Sequence, residues 1–206
     1  MFNLDINMIL LTLPGILIGL TLHEFSHAYV ACLLGDPTAK EHGRLTLNPI
    51  YHIDLLGFLM LIFFRFGWAK PVPINPNNFT KKKKGYFLVS IAGPLSNILL
   101  SIILTIILGI VIKLGVNIAI YEILYFAIFI NLVLAVFNLL PIPPLDGSKI
   151  LLAILPNKFE YKYYQIERYT HIILFVLVYF KVTNKILFPV VYYILNILTN
   201  LLNFII

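Results

Sequence analysis

Three stretches of this chain, Tyr86–Ile112, Ile123–Leu145 and Ile186–Ile206, contain no Asp, Glu, Lys or Arg. Each reaches the ~20 apolar residues that a helix needs to cross a ~30 Å hydrocarbon layer. A fourth stretch, from about Ile6 to Leu34, is as long but is interrupted by His23, Glu24 and His27. Nothing constrains the fold more. In lipid every backbone N–H and C=O must be satisfied within the chain, so such runs become helices.

Composition agrees. Of 206 residues 60% are hydrophobic and 12% charged, against about 45–50% and 25% in soluble domains. The expected fold class is therefore an all-α polytopic membrane protein. Cys32 is the single cysteine, which excludes an intrachain disulfide framework. The formal net charge of +6 comes from Lys and Arg flanking apolar runs, which is membrane topology rather than a nucleic-acid signal. The start, "MFNLDINMILLTLPG", lacks a basic leader and an A-x-A-like site, so no cleaved signal peptide is expected.

Two shorter runs need placing. Leu55–Phe64 and Tyr169–Phe180 are each bounded by charge. Ten helical residues rise about 15 Å, half the hydrocarbon thickness, so Leu55–Phe64 reads as re-entrant or packed in a cleft. The second reads as a short, tilted or partial helix. With Leu55–Phe64 not crossing, twelve basic residues, among them Lys81–Lys84 and Lys149, share one face; only Lys113, Lys181 and Lys185 fall on the other. The crowded face is then cytoplasmic and the N-terminus outside. The count is about five to six membrane helices, with a re-entrant or extended segment between the first helix and the one beginning near Tyr86.

The interruption in the first run is "HEFSH". His23 and His27, four apart on a helix, project from one face about a turn apart, a spacing that lets two imidazoles reach one Zn²⁺ at ~2.0–2.1 Å. Glu24 stands beside them, placed to take a proton from a metal-activated water rather than to ligate. Ionisable groups at mid-bilayer cost about 2.5–3.5 kcal/mol or more, so their presence there points to function.

A catalytic zinc needs a third protein ligand and an open position. Among the few acids, Asp5, Glu122, Glu160 and Glu167 lie in the wrong places, and Asp36 and Glu41 would need a sharp fold-back. Asp54 and Asp146 remain, with His42 and His52 as nitrogen alternatives. Asp146 is the best of these. It closes "FNLLPIPPLDGSKI", where three prolines break the helix and Gly147 permits a tight turn. Irregular backbone at membrane depth is found where it lines a site.

Taken together, "HEFSH", "AGPLSN" (Ala92–Asn97) and "FNLLPIPPLDG" resemble, in order, the motifs of the site-2 protease family of intramembrane zinc metallopeptidases. The match spans roughly Pro14 to Leu155. "GRLTLNPIYHIDLLG" and "FGWAKPVPINP" look like the compact bacterial members, without room for a PDZ or CBS (nucleotide-sensing) domain. The resemblance implies zinc ligands His23, His27 and Asp146, Glu24 as general base, and Asn138 as a hydrogen-bond donor to the substrate carbonyl or its oxyanion. It further implies one Zn²⁺ per chain and hydrolysis of peptide bonds in or near transmembrane segments of other membrane proteins.

The expected organisation is one membrane-embedded domain over 1–206, with a catalytic core at about 6–155 and accessory helices at about 156–206. The expected partners are a transmembrane protein or peptide substrate and the lipid bilayer, with no nucleic acid; the sequence leaves the oligomeric state open. The expected location is a bacterial-type plasma membrane, with the site toward the cytoplasm. Two other classes compete: a helix-binding scaffold without catalysis, and a proton or ion transporter using the intramembrane His and Glu. "AKPVPINP" reads either as an extended edge for a substrate strand or as a proline-stiffened loop. Asp54 reads as the cap of the helix that follows it.

Overall fold

A computed structural model of the chain describes residues 6–64, 67–159 and 180–206, together with 163, 165, 169, 170, 174 and 176–178. The helices are α1 (Ile6–Leu33), α2 (Thr38–Glu41), α3 (Leu55–Phe64), α4 (Lys82–Lys113), α5 (Ile118–Asn138), α6 (Asp146–Ile154) and α7 (Asn184–Ile205). Among the described residues the only β pairing is one antiparallel bridge, Ile53 to Ala69.

Four of these helices, α1, α4, α5 and α7, are long and apolar enough to cross a membrane. The sequence count of five to six also admitted Leu55–Phe64 and Tyr169–Phe180. The first is helical but only ten residues long, as its re-entrant reading requires. Asp54 accepts the Gly57 N–H at 2.8 Å and caps it. Of the second, Tyr169, Thr170, Leu174, Val176, Leu177 and Val178 are helical and Phe180 lies in a turn; its other residues lie outside the described ones.

Connections set the directions. α1 ends where Gly35, at φ +96°, turns the chain and the Asp36 N–H returns to the Ala31 carbonyl, a left-handed terminus suited to glycine. A tight turn at Gly115, capped by Asn117 accepting the Ala119 N–H, makes α4 and α5 antiparallel. The end of α5 therefore returns to the side where α4 begins. Lys83 there donates to the Leu155 carbonyl just after α6, so the lysine run and the Asp146 loop lie on one side, as the charge pattern requires.

Between α1 and α4 the chain makes an extended strap over 69–75. Arg44 donates to the Lys70 and Pro71 carbonyls at 2.6 and 3.3 Å. The Lys70 N–H donates to the His52 carbonyl at 2.9 Å. At its far end Asp36 accepts from the Asn75 N–H, the Asn78 amide and both donors of Thr38. Pro71 and Pro73 supply no N–H to any ladder.

Two seams hold the bundle. Where α1 meets α5, a Cβ on Gly15 would come within 2.6 Å of the Ala127 Cα, and one on Gly19 would strike the Asn131 side chain. These backbones touch because the residues are small, the usual device of membrane helices. Where α7 meets α4 and α5, the buried residues are Leu108, Ile128, Leu132, Val136, Leu187, Val191 and Leu198, all branched aliphatics.

Candidate metal centre

α1 buries His23 and His27 against α4 and Glu24 against the strap. α4 passes them at Gly93. A Cβ there would overlap His27 Nε2 and lie 2.7 Å from His23 Nε2, so only glycine lets the helices cross this closely. Asp146 arrives from the other direction. Gly147 packs against the Leu139 and Leu140 carbonyls, where a Cβ would collide, and that close turn brings the carboxylate to the α1 imidazoles. Asp146 is 4% exposed.

The three groups converge. Asp146 Oδ2 lies 3.1 Å from His23 Nε2 and 3.1 Å from His27 Nε2, and the two ring nitrogens are 3.0 Å apart. Tetrahedral ligands at ~2.0–2.1 Å from a zinc ion stand about 3.3–3.4 Å from one another, so this triangle fits such an ion to within a few tenths of an ångström. The chemistry fits too. His27 Nδ1 is 2.7 Å from the Val89 carbonyl; a carbonyl only accepts, so Nδ1 carries the hydrogen and Nε2 faces inward with a lone pair. Lys149 occupies the other carboxylate oxygen, Oδ1, at 3.2 Å, which leaves Oδ2 as the donor toward the centre. Among the described residues these three form the one His/Cys/Asp/Glu group with metal-holding geometry.

The other sequence candidates stand around or apart from this centre. Glu24 points to the strap, where its Oε2 accepts the Val72 N–H at 2.8 Å. Asn138 ends α5 and donates to Leu134 on its own helix at 3.0 Å. The alternatives for a third ligand are engaged elsewhere: His42 with the Thr38 carbonyl, His52 with the Thr46 carbonyl and Asp54 in its cap.

Three contacts were not read from the sequence. Val72 holds Glu24, Lys149 holds Asp146, and Asn97 faces His23 Nδ1 at 2.7 Å. Only Asn97 left a signal, a carboxamide inside an uncharged run, at the end of "AGPLSN". Asn131, in "IFINLVLAV", carries the same signal.

A helical membrane protein with a buried His-Glu-x-x-His and Asp donor set is the class that this fold and centre define. The sequence model of Peptidase family M50 matches residues 107–180. The chain is 41% identical over 185 residues to YwhC of Bacillus subtilis, named as a zinc metalloprotease, covering 84% of this chain and 82% of that one. A similarly named protein of Methanocaldococcus jannaschii is 32% identical over 152 residues, covering 72% and 73%. Rip2 of Mycolicibacterium smegmatis, also so named, is 32% identical over 148 residues; the match takes 69% of this chain but 56% of Rip2. No solved structure matches. The chain belongs to Peptidase family M50, the site-2 protease family, and is a metalloprotease.

Proposed function

We propose that this protein is a zinc-dependent endopeptidase cutting other membrane proteins in or near their transmembrane segments, with its site toward the cytoplasmic face of a bacterial-type plasma membrane. The observation that carries it is the 3.0–3.1 Å triangle of His23 Nε2, His27 Nε2 and Asp146 Oδ2, buried in the bundle beside Glu24. His23, His27 and Asp146 hold the metal. When bound, zinc supplies a Lewis acid to the scissile carbonyl and lowers the pKa of a water toward about 7.

Glu24 is the base. Oε2 is anchored by Val72, and Oε1 takes the proton of the attacking water and hands it to the leaving amine. Asn138 donates its amide to the oxyanion, which requires it to leave the Leu134 carbonyl; such donors are worth about 2.7–4 kcal/mol elsewhere. The strap supports substrate binding in extended form. Val72 already turns its N–H to Glu24, so an extended substrate held along the strap runs beside the base and presents its carbonyl to the centre.

A transmembrane substrate is supported by an apolar cavity of about 960 Å³ between α1, α3, α5 and α7. Its α1 wall, Leu13, Ile16 and Leu20, stops one turn short of Glu24; its α5 wall, Val133, Leu134 and Phe137, stops beside Asn138. The catalytic core spans about 6–155, with the remaining helices of the single domain accessory. Metal analysis and cleavage of a model transmembrane peptide in detergent test the reading, wild type against Glu24→Gln. Zinc in both and cleavage by wild type alone is expected; equal cleavage by both, or no zinc in either, refutes it.

A further inference from the structure

Two buried carboxamides link His23 to backbone carbonyls of its own helix, α1, and of α5. Asn97 on α4 and Asn131 on α5 are each fully buried. One side-chain atom of Asn131 lies 2.8 Å from the Ala127 carbonyl and 3.2 Å from the Gly15 carbonyl. Carbonyls only accept, so that atom is the amide nitrogen. The Asn131 oxygen therefore faces Asn97, at 2.8 Å. The Asn97 atom meeting it also lies 3.2 Å from the Gly19 carbonyl. Facing two acceptors, it is nitrogen as well. The Asn97 oxygen is left against His23 Nδ1 at 2.7 Å, and an acceptor there demands that Nδ1 carry the hydrogen. Each step forces the next, and none presumes an amide orientation.

We propose that Asn131, which has no hydrogen bond to His23, His27 or Asp146, is a positioning residue of the metal centre. By locking Asn97 it fixes the hydrogen on His23 Nδ1, so that Nε2 offers a lone pair to the ion. The proposal rests on the zinc reading above. The two histidines are held differently. His27 bonds a backbone carbonyl, which cannot turn over; His23 bonds a carboxamide, which can. A reversed Asn97 would set its NH₂ against the His23 N–H and its oxygen against two others, losing three hydrogen bonds in a dry interior. Gly15 and Gly19 complete the device, since a Cβ on either would collide with α5 and deny the amides their carbonyls.

Zinc affinity of the whole chain in detergent, measured by chelator competition, reads the lock without reference to proteolysis. Asn131→Leu is expected to weaken binding about tenfold, the low end of the ~10–100-fold effect of residues that orient metal-bound histidines. Asn97→Asp gives position 97 two oxygens and so no wrong orientation. With Asn97→Asp present, Asn131→Leu is expected to leave affinity as it is in Asn97→Asp alone. Equal weakening by Asn131→Leu in both backgrounds, or none in the wild-type background, overturns the proposal.

Absence of zinc from wild type refutes the metal reading instead. In that case, or if Asn131→Leu does not fold, the side-chain amide protons of the unsubstituted protein decide the lock. Those of Asn97 and Asn131 are expected to exchange with deuterium far more slowly than those of the exposed Asn77. Exchange as fast as that of Asn77 overturns it.

Discussion

The seam joining α1 to α4 and α5 and the seam joining α7 to α4 and α5 lie in one bundle and are built on opposite principles. The first is made of glycines, carboxamides and imidazoles bonded to one another and to backbone. The second has only Leu, Ile and Val among its buried residues, with aromatic rings such as Phe129 and Phe188 packed against them. Lipid tails are as apolar as leucine, so the aliphatic seam gains from packing and little from leaving the bilayer. The polar seam gains directional bonds that permit one register, and a metal site accurate to tenths of an ångström needs that register. The lesson is a division of labour: α7 adds bulk, while α1, α4 and α5 set geometry.

Substitutions in the two seams should therefore fail in different ways. The largest effect is expected at the polar seam's base. Glu24→Gln should lower cleavage about 10²–10⁴-fold, the range for losing a general base, with zinc content unchanged by elemental analysis. Gly93→Ala comes next. Its methyl must displace the imidazoles, and about 10²-fold in cleavage rate is the usual cost of a 1 Å misplacement; weaker zinc retention in the same sample shows that geometry was lost rather than chemistry. In the aliphatic seam, Leu108→Ala should lower unfolding stability in detergent by about 2 kcal/mol, toward the low end for such truncations because lipid already solvates the exposed surface. Its zinc affinity should equal that of wild type. A change in metal affinity from Leu108→Ala would erase the distinction between the seams.

A smaller effect sharpens the comparison through the strap. Burial alone would raise the Asp36 carboxyl, but hydrogen bonds from Thr38, Asn75 and Asn78 outweigh it and hold the group below its ordinary 3.8. A carboxyl depressed in the folded state contributes stability that is fully present above its unfolded pKa and is lost as pH falls through the folded one. Acid below about pH 4 should therefore loosen the strap, seen as faster amide exchange at Asn75, while Asp36→Asn should show weak protection with no such pH dependence. Smallest of all, Lys82→Ala, which removes an exposed bond to Asn77, should change stability by no more than about 0.5 kcal/mol.

Much of this was legible in the sequence, and the reason divides along the same line. Helices α1, α4, α5 and α7 announce themselves because lipid permits little but uncharged helix. His23 and His27 share a face through local periodicity, and Asp146 stands out because acids are scarce and three prolines precede it. The contacts that were not legible join residues of ordinary type across the chain: Val72 to Glu24 through a backbone N–H, and Asn131 to Asn97 to His23 through amides. A backbone donor has no sequence signature. An Asn in an apolar run signals a partner without naming it. Leu55–Phe64 was readable as too short to cross, but the antiparallel bridge from Ile53 to Ala69 depends on pairing between residues of no special pattern.

The account stands on two imidazoles and one carboxylate sharing an ion, and X-ray absorption at the zinc edge of the purified protein tests that most directly. The predicted result is one zinc per chain, bound by two imidazole nitrogens with oxygen completing the shell, and its loss in Asp146→Ala. Full zinc occupancy with an unchanged spectrum in Asp146→Ala would contradict it.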